Sequence, residues 1–407
     1  CGFSAIPFDP ESDPRKASGG ILSGLNGAFT DLSGYFDAVL AGAPAINNMM
    51  LVGHNTIRSL VMDDPKQAPS QRDLKAMSGH VERALEQGAC GFSTGLIYHP
   101  GRYSQTEEIV ALAELAGRTG ALYTTHMRNE GDHLLDAVEE ALRIGVEAKV
   151  HTHISHHKAA GAANWGKVVP SLARIDAAIA AGQRVSLDVY PYTAGSGRMI
   201  EYFNLDRINR DLAEVIRIAS CPAYREYEGQ MLKDIAKAQD VDITDLVRDI
   251  LTAPRGADTI CIQFIIDEQD VEHNLRWRDM MVGSDGIPNL RGKPHPRLYG
   301  TFAKILGYYV RERALMSLPE AIRRMTSLPA ATFGMTQRGM VRAGFKADLL
   351  LFDPANVQDT ATYDEPQQLA AGIRTVLVNG KIAWQDGQHQ MTGSGQMLKY
   401  RAGAYAG

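Results

Sequence analysis

Short apolar runs alternate along this chain with stretches in which apolar residues recur every three or four positions. The runs are MMLVGHN, CGFSTGL, ALYTTHMR, VHTHISHHK, RVSLDVYPY, TICIQFII and DMMVGSDG, and each reads as a strand. Between them, QRDLKAMSGHVERALEQG, QTEEIVALAELAGRTG and HLLDAVEEALRIGVE read as amphipathic helices, the first two closed by Gly88 and Gly120. Strand–helix alternation of this kind predicts a parallel α/β architecture. Most of the runs end in polar residues. That suits a (β/α) barrel, whose active site forms at the C-terminal ends of its strands.

The runs, with one more strand ending at Cys1 and any earlier one, outnumber the eight that such a barrel holds. TICIQFII is the one expected outside it, because it follows a polar, helix-rich segment, about residues 204–257, that reads as an insertion. Further on, Ser317 and Glu320 make a capping box with Pro319 inside the first turn. From about Gly344 the texture changes to GFKADLLLFDP and IRTVLVNGKIAWQDGQ, short strands with an Asn379–Gly380 turn. The expected organisation is a barrel over residues 1–343, a small β unit over 344–392 and a frayed Gly-rich tail over 393–407.

Composition narrows the function classes. A net charge of −5 over 407 residues leaves no basic footprint, which argues against nucleic acid as a partner. No apolar run approaches the roughly 18–20 residues that span a bilayer, and no signal-peptide pattern opens the chain. Four widely spaced cysteines (Cys1, Cys90, Cys221, Cys261) make no disulfide framework. A cytoplasmic location is expected, where a cysteine that matters is a ligand or a nucleophile. The chain opens at Cys1 in a Gly-Phe-Ser turn without an initiator methionine, which reads as the continuation of a longer protein.

Candidate metal ligands stand at the strand ends: Cys1, His126 in YTTHMRNEG, and one or more histidines of HTHISHHK. A catalytic zinc needs about three such ligands and an open position. Asp285 in GSDG ends the last strand and is a candidate base. Strand alternation puts Thr152, Ile154, His156 and Lys158 on one face, and His151, His153, Ser155 and His157 on the other. The first face turns polar only at its C-terminal end, as an inward barrel face does at its mouth. His156 is therefore the expected ligand and His157 a second candidate. His151 and His153 lie deeper and are expected to be structural.

The motifs GFSTGLIYHPG, THMRNEG, ISHHK, NWGK, LDVYPYTAGS, VGSDGIPN and PHPRLYGTF together resemble the N-acyl-D-amino-acid deacylases of the amidohydrolase superfamily. The resemblance covers nearly the whole chain. It implies a (β/α)8 TIM-type barrel with a small β-sandwich domain, the N-terminal part (barrel strand one and most of strand two) being absent here. It also implies zinc-dependent hydrolysis of N-acyl-D-amino acids, small-molecule substrates, to a carboxylate and a D-amino acid. Carried over residue by residue, the tightly held zinc falls on Cys1, His126 and His156, and the base on Asp285. Lys158, Tyr190, Ser196 and Arg297 match positions that hold the substrate carboxylate. A second, weaker zinc would need a His-x-His pair upstream of Cys1. Two rival readings share the fold: another amidohydrolase, acting on cyclic amides or L-specific, and an inactive truncated barrel. No basic residue is clearly placed for an acidic side chain, so neutral, apolar D-amino acids are the expected substrates. Oligomeric state is not legible.

Overall fold

The computed structural model describes residues 1–8, 29–288 and 291–400. Six of the apolar runs supply the strands Val52–Gly53, Gly91–Gly95, Leu122–His126, His151–Ile154, Val185–Val189 and Met280–Val282. They pair in that order as one parallel ladder. Helices Gln71–Glu86, Thr106–Thr119, Leu134–Glu147 and Val168–Ala180 form the crossovers. Their apolar faces bury against the strands: Met77, Val81, Ile109 and Leu112 with Phe92 and Tyr123 in one cluster, and Val138 and Ile175 with Ile154, Leu187 and Met280 in another. Thr106–Thr119 stops because Gly120 adopts φ 74° and returns its N–H to the carbonyls of Ala116 and Gly117. The result is the wall of a TIM-type barrel.

Ile260–Gln263, from TICIQFII, is the middle strand of a separate antiparallel sheet, between Gly195–Arg198 and Ile216–Ser220. With helices Leu232–Gln239 and Ile243–Thr252 it encloses its own core, built from Met199, Phe203, Ile218, Leu246, Ile250 and Cys261. The inserted unit is larger than the expected 204–257. Its strands reach from Gly195 to Gln263, since the antiparallel ladder draws in chain on both flanks.

Beyond the barrel, Leu349–Phe352, Ile373–Val378, Lys381–Gln385 and Gln388–His389 form a four-stranded antiparallel sheet. Asn379 and Gly380 both take positive φ, 50° and 81°, which a two-residue hairpin turn of this kind requires. Among the described residues this unit is one sheet layer, in keeping with a small β domain whose N-terminal part is absent. The tail also departs from expectation: Met397–Leu398 pairs with Asn48–Met49, and the Tyr400 hydroxyl donates to the Gly120 carbonyl at 2.7 Å. The tail is docked up to Tyr400, and residues 401–407 lie outside the described residues. No helix among the described residues is long and apolar enough to cross a membrane.

Candidate metal centre and active-site cavity

Close backbone packing seats Cys1 at the barrel mouth. The Gly2 carbonyl accepts from the Asn55 N–H at 2.7 Å, and the Gly2 N–H donates to Ser93 Oγ at 3.0 Å. Gly53 and Gly95 border this segment: a Cβ at Gly53 would stand 2.5 Å from the Gly2 carbonyl oxygen, and one at Gly95 2.7 Å from that of Cys1. Only glycine permits that approach.

His126 closes the Leu122–His126 strand and is buried. His156 lies beyond its strand, which stops at Ile154, and it holds φ 41° in the left-handed region. Strand alternation singles out His156 but does not aim it. The turn does. His156 Nε2 lies 3.0 Å from His126 Nδ1 and 3.7 Å from Cys1 Sγ, so two imidazoles and a thiol converge. A tetrahedral zinc with its usual bond lengths places nitrogen donors about 3.3 Å apart and a nitrogen–sulfur pair about 3.6 Å apart. Both spacings at His156 fit zinc, while the group whose ligand atoms all lie within 4.8 Å of one another is His126, Glu130 and His156, with Cys1 outside it. Burial, reinforced by the neighbouring His156 and Lys158, keeps the His126 pKa well below its ordinary value despite Glu130, so the ring is neutral as a ligand requires.

Glu130, four residues after His126, completes a group with His126 and His156 and was not singled out from the sequence. Its Oε1 lies 3.1 Å from His156 Nδ1 and 2.5 Å from Lys158 Nζ, and its Oε2 lies 3.5 Å from His126 Nε2. Burial opposes its charge, but His126, Lys158 and His156 together hold its pKa well below the carboxylate range. It faces the ring nitrogens opposite those that converge with Cys1. His126 Nε2 has no hydrogen-bond partner of its own, consistent with the 3.5 Å gap. Tyr98, also not foreseen, brings its hydroxyl to 3.2 Å from His126 Nδ1.

Asp285 follows the Met280–Val282 strand with φ 45°, again left-handed. Desolvation pushes its pKa up, but Arg297 at 2.8 Å, with His156 and Lys158, outweighs this and holds it at about 2. Arg297 opens the Arg297–Lys304 helix, is 1% exposed and stacks 4.4 Å above the Tyr190 ring. Its Nη2 reaches Asp285 and the Ser196 carbonyl (3.3 Å), while Nε and Nη1 have no partner; the buried Tyr190 hydroxyl has none either. These groups line a cavity of about 220 Å³ together with His126, Glu130, Lys158 and Ser196. Its walls are completed by Ile97, Leu212, Ile265 and Tyr202. Lys158 faces this cavity, yet its ammonium already meets Glu130, the His156 carbonyl at 2.8 Å and His156 Nδ1 at 2.9 Å.

The remaining histidines of the run are occupied. His157 is fully buried, its ring nitrogens each 2.7 Å from Asn274 Oδ1 and Ser171 Oγ, which removes it as a ligand candidate. His153 lies between Asp188 and Ser186, and His151 also meets Ser186. Cys90, Cys221 and Cys261 are buried free thiols; burial pushes Cys90 and Cys261 up to about 12. Cys1 alone is exposed among the four.

A barrel-mouth cluster of imidazoles, thiol and carboxylates, beside a cavity with free buried donors, defines a metal-dependent hydrolase. The sequence model of the Amidohydrolase family matches residues 173–383. The chain is 40% identical over 393 residues to the D-aminoacylase of Alcaligenes xylosoxydans xylosoxydans, covering 96% of this chain and 78% of that one. It is 42% identical over 380 residues to the N-acyl-D-glutamate deacylase of the same organism, covering 93% and 75%. The crystal structure of N-acyl-D-glutamate deacylase from Bordetella bronchiseptica, complexed with zinc and a phosphonate mimic of the tetrahedral intermediate, superposes with a TM-score of 0.89. That match is 40% identical and covers 98% of this chain and 81% of that one. The chain belongs to the D-aminoacylase family of amidohydrolases.

Proposed function

We propose that this protein hydrolyses N-acyl-D-amino acids with one zinc ion held by Cys1, His126 and His156. One observation carries the reading: Arg297, buried with its Nε and Nη1 unpaired, lines the same cavity as Asp285 and His126. A buried guanidinium with two unused donors is a receptor for a planar anion such as an α-carboxylate. Zinc bound there supplies Lewis-acid polarisation of an acyl carbonyl and makes water more acidic.

The chain's own groups do the rest. With its proton on Nδ1, His156 donates to Glu130 and turns the Nε2 lone pair towards Cys1, the carboxylate–histidine pairing typical of metal sites. Arg297, with the Tyr190 hydroxyl and the backbone at Ser196, orients the α-carboxylate, and Lys158 adds its charge from the Glu130 side. Asp285, ionised, takes the proton of the attacking water and delivers it to the leaving amine. The Tyr98 hydroxyl stands where it can donate to the developing oxyanion.

Three attachments fix handedness: carboxylate on Arg297, acyl group at the Cys1–His126–His156 vertex, side chain on the Ile97–Leu212–Ile265 wall. That wall supports a neutral side chain. Lys158 and Arg297 are the cations lining the cavity, while nearby Arg102 and Arg198 face Glu201 at 2.9 and 4.0 Å. The reading is tested by chiral analysis of a racemic N-acetyl-amino acid after partial hydrolysis. It stands if the freed amino acid is the D enantiomer and falls if the L enantiomer is released.

A further inference from the structure

His151-x-His153 has the look of a metal-binding pair, yet the structure gives it a different occupation. His153 Nε2 lies 2.7 Å from Asp188 Oδ2, and its Nδ1 lies 2.9 Å from Ser186 Oγ. His151 Nε2 lies 3.0 Å from the same hydroxyl. Both ring nitrogens of His153 are therefore committed within the strand layer beneath the mouth. The other oxygen of Asp188, Oδ1, accepts the backbone N–H of His156 at 2.9 Å. The next N–H along, that of His157, donates to the Asp188 carbonyl at 2.8 Å. One residue on the neighbouring strand thus holds both peptide units of the turn that carries His156.

That turn needs holding. At φ 41° His156 occupies a left-handed conformation that strains a non-glycine residue, and such conformations persist only where the surroundings over-determine them. No regular strand pairing supports it, since the Leu122–His126 and His151–Ile154 ladder ends at Thr125 and Ile154. Asp188 also packs against the loop that carries Asp285: a Cβ at Gly283 would stand 2.7 Å from Asp188 Oδ1.

We propose that Asp188 is the positioning residue for His156, clamping its left-handed turn, and that His153, steadied by Ser186, fixes the carboxylate that does so. The conspicuous histidine pair is the support of the metal centre, one layer down, and not a second centre. This inference rests on the reading of His156 as a zinc ligand, and the test separates the two.

The experiment is a zinc-affinity titration of the metal-free full-length protein against a competing chelator. Thermal unfolding of the metal-free form is recorded alongside to report folding. Asp188→Ala is expected to raise the zinc Kd about 10- to 100-fold, the size of effect that outer partners of metal ligands have. Asp188→Asn keeps an oxygen for the His156 N–H, and its amide can donate to the other tautomer of His153. It is expected to restore zinc affinity to within a few-fold of the parent. His153→Ala, which leaves Asp188 in place, is expected to weaken zinc binding less than Asp188→Ala, and it is the deciding variant should Asp188→Ala not fold.

The inference is overturned by a folded Asp188→Ala that binds zinc as the parent does, or by an Asp188→Asn that loses as much as the alanine variant. An unchanged zinc Kd in His153→Ala overturns the part assigned to His153, and the whole inference where Asp188→Ala does not fold. His156→Ala in the same titration guards the underlying reading. If it binds zinc normally, His156 is not a ligand and that reading fails; if it loses zinc while Asp188→Ala does not, only the clamp fails.

Discussion

Replacing Arg297 by lysine probes the carboxylate receptor without removing its charge. Lysine can keep a cation near Asp285, but it cannot reproduce the planar fork whose Nε and Nη1 are buried and unpaired beside the cavity. Each charge-assisted hydrogen bond at a buried site contributes about 1.5–3 kcal/mol, so losing two removes about 3–6 kcal/mol of substrate binding. That corresponds to a fall of about 10²- to 10⁴-fold in kcat/KM. The lysine ammonium also disturbs Asp285, which costs rate for any substrate, so the single comparison is not decisive. The assay is therefore a cycle: parent and Arg297→Lys, each with an N-acetyl-D-amino acid and with the matching N-acetyl amine that lacks the carboxylate. The two substrates share the effect on Asp285 and differ only in carboxylate recognition. Coupling of at least about 2 kcal/mol between the substitution and the carboxylate is expected. Equal losses on the two substrates would refute the receptor assignment and leave Arg297 as a partner of Asp285 alone.

Asp285→Asn removes the proposed base and is expected to lower kcat by about 10²- to 10⁴-fold; an unchanged kcat removes Asp285 from that role. In the side-chain comparison, kcat/KM for N-acetyl-D-leucine is expected to exceed that for N-acetyl-D-glutamate, and the reverse order would contradict the apolar wall. Gly283→Ala is expected to displace Asp188 and weaken zinc binding while leaving the metal-free protein folded, as read by chelator competition and circular dichroism. Away from the site, Glu108 is buried between His54 and Arg58. Burial works against its charge, but His54 and Arg58 hold its pKa below the ordinary 4.5. A depressed carboxylate pKa contributes stability that is fully present above the unfolded value and is lost as pH falls below it. Glu108→Gln is expected to cost about 3 kcal/mol at neutral pH, by leaving Arg58 buried without its partner. In urea unfolding, that deficit is expected to shrink once pH drops below about 4.5. A deficit independent of pH would show that the ion pair is not its source.

The barrel strands were legible because each is a short apolar run bounded by turn residues, and because strand and helix periods differ. Strand number showed that one run was surplus, and the polar, helix-rich segment before TICIQFII marked it as the one outside the barrel. The reach of the insertion could not be read, since pairing of Gly195–Arg198 with Ile260–Gln263 is a contact across more than sixty positions that leaves no local pattern. Cys1, His126, His156 and Asp285 stood out as reactive residue types at strand ends, and the structure gathers them at one mouth. Glu130 and Tyr98 were missed because they sit in loops, where no periodicity marks a side chain as facing inward. Lys158 was expected to meet substrate, and the structure adds Glu130 as its standing partner. The geometry that aims His156 lies in its positive φ and in Asp188, on a different strand; alternation within HTHISHHK carries no trace of either. The docked tail was hidden for a similar reason, as glycine-rich composition says nothing about a tyrosine that reaches a distant carbonyl.

The central claim, that one zinc on Cys1, His126 and His156 drives deacylation of D substrates, is tested most directly by metal removal and return. The protein is stripped with a chelator, and zinc is added back in fractional equivalents while turnover of an N-acetyl-D-amino acid is followed. The account expects turnover to vanish on stripping and to rise in proportion to zinc, reaching its full value at about one ion per chain. Full turnover by the metal-free protein, or no activity until more than one equivalent has bound, would contradict it.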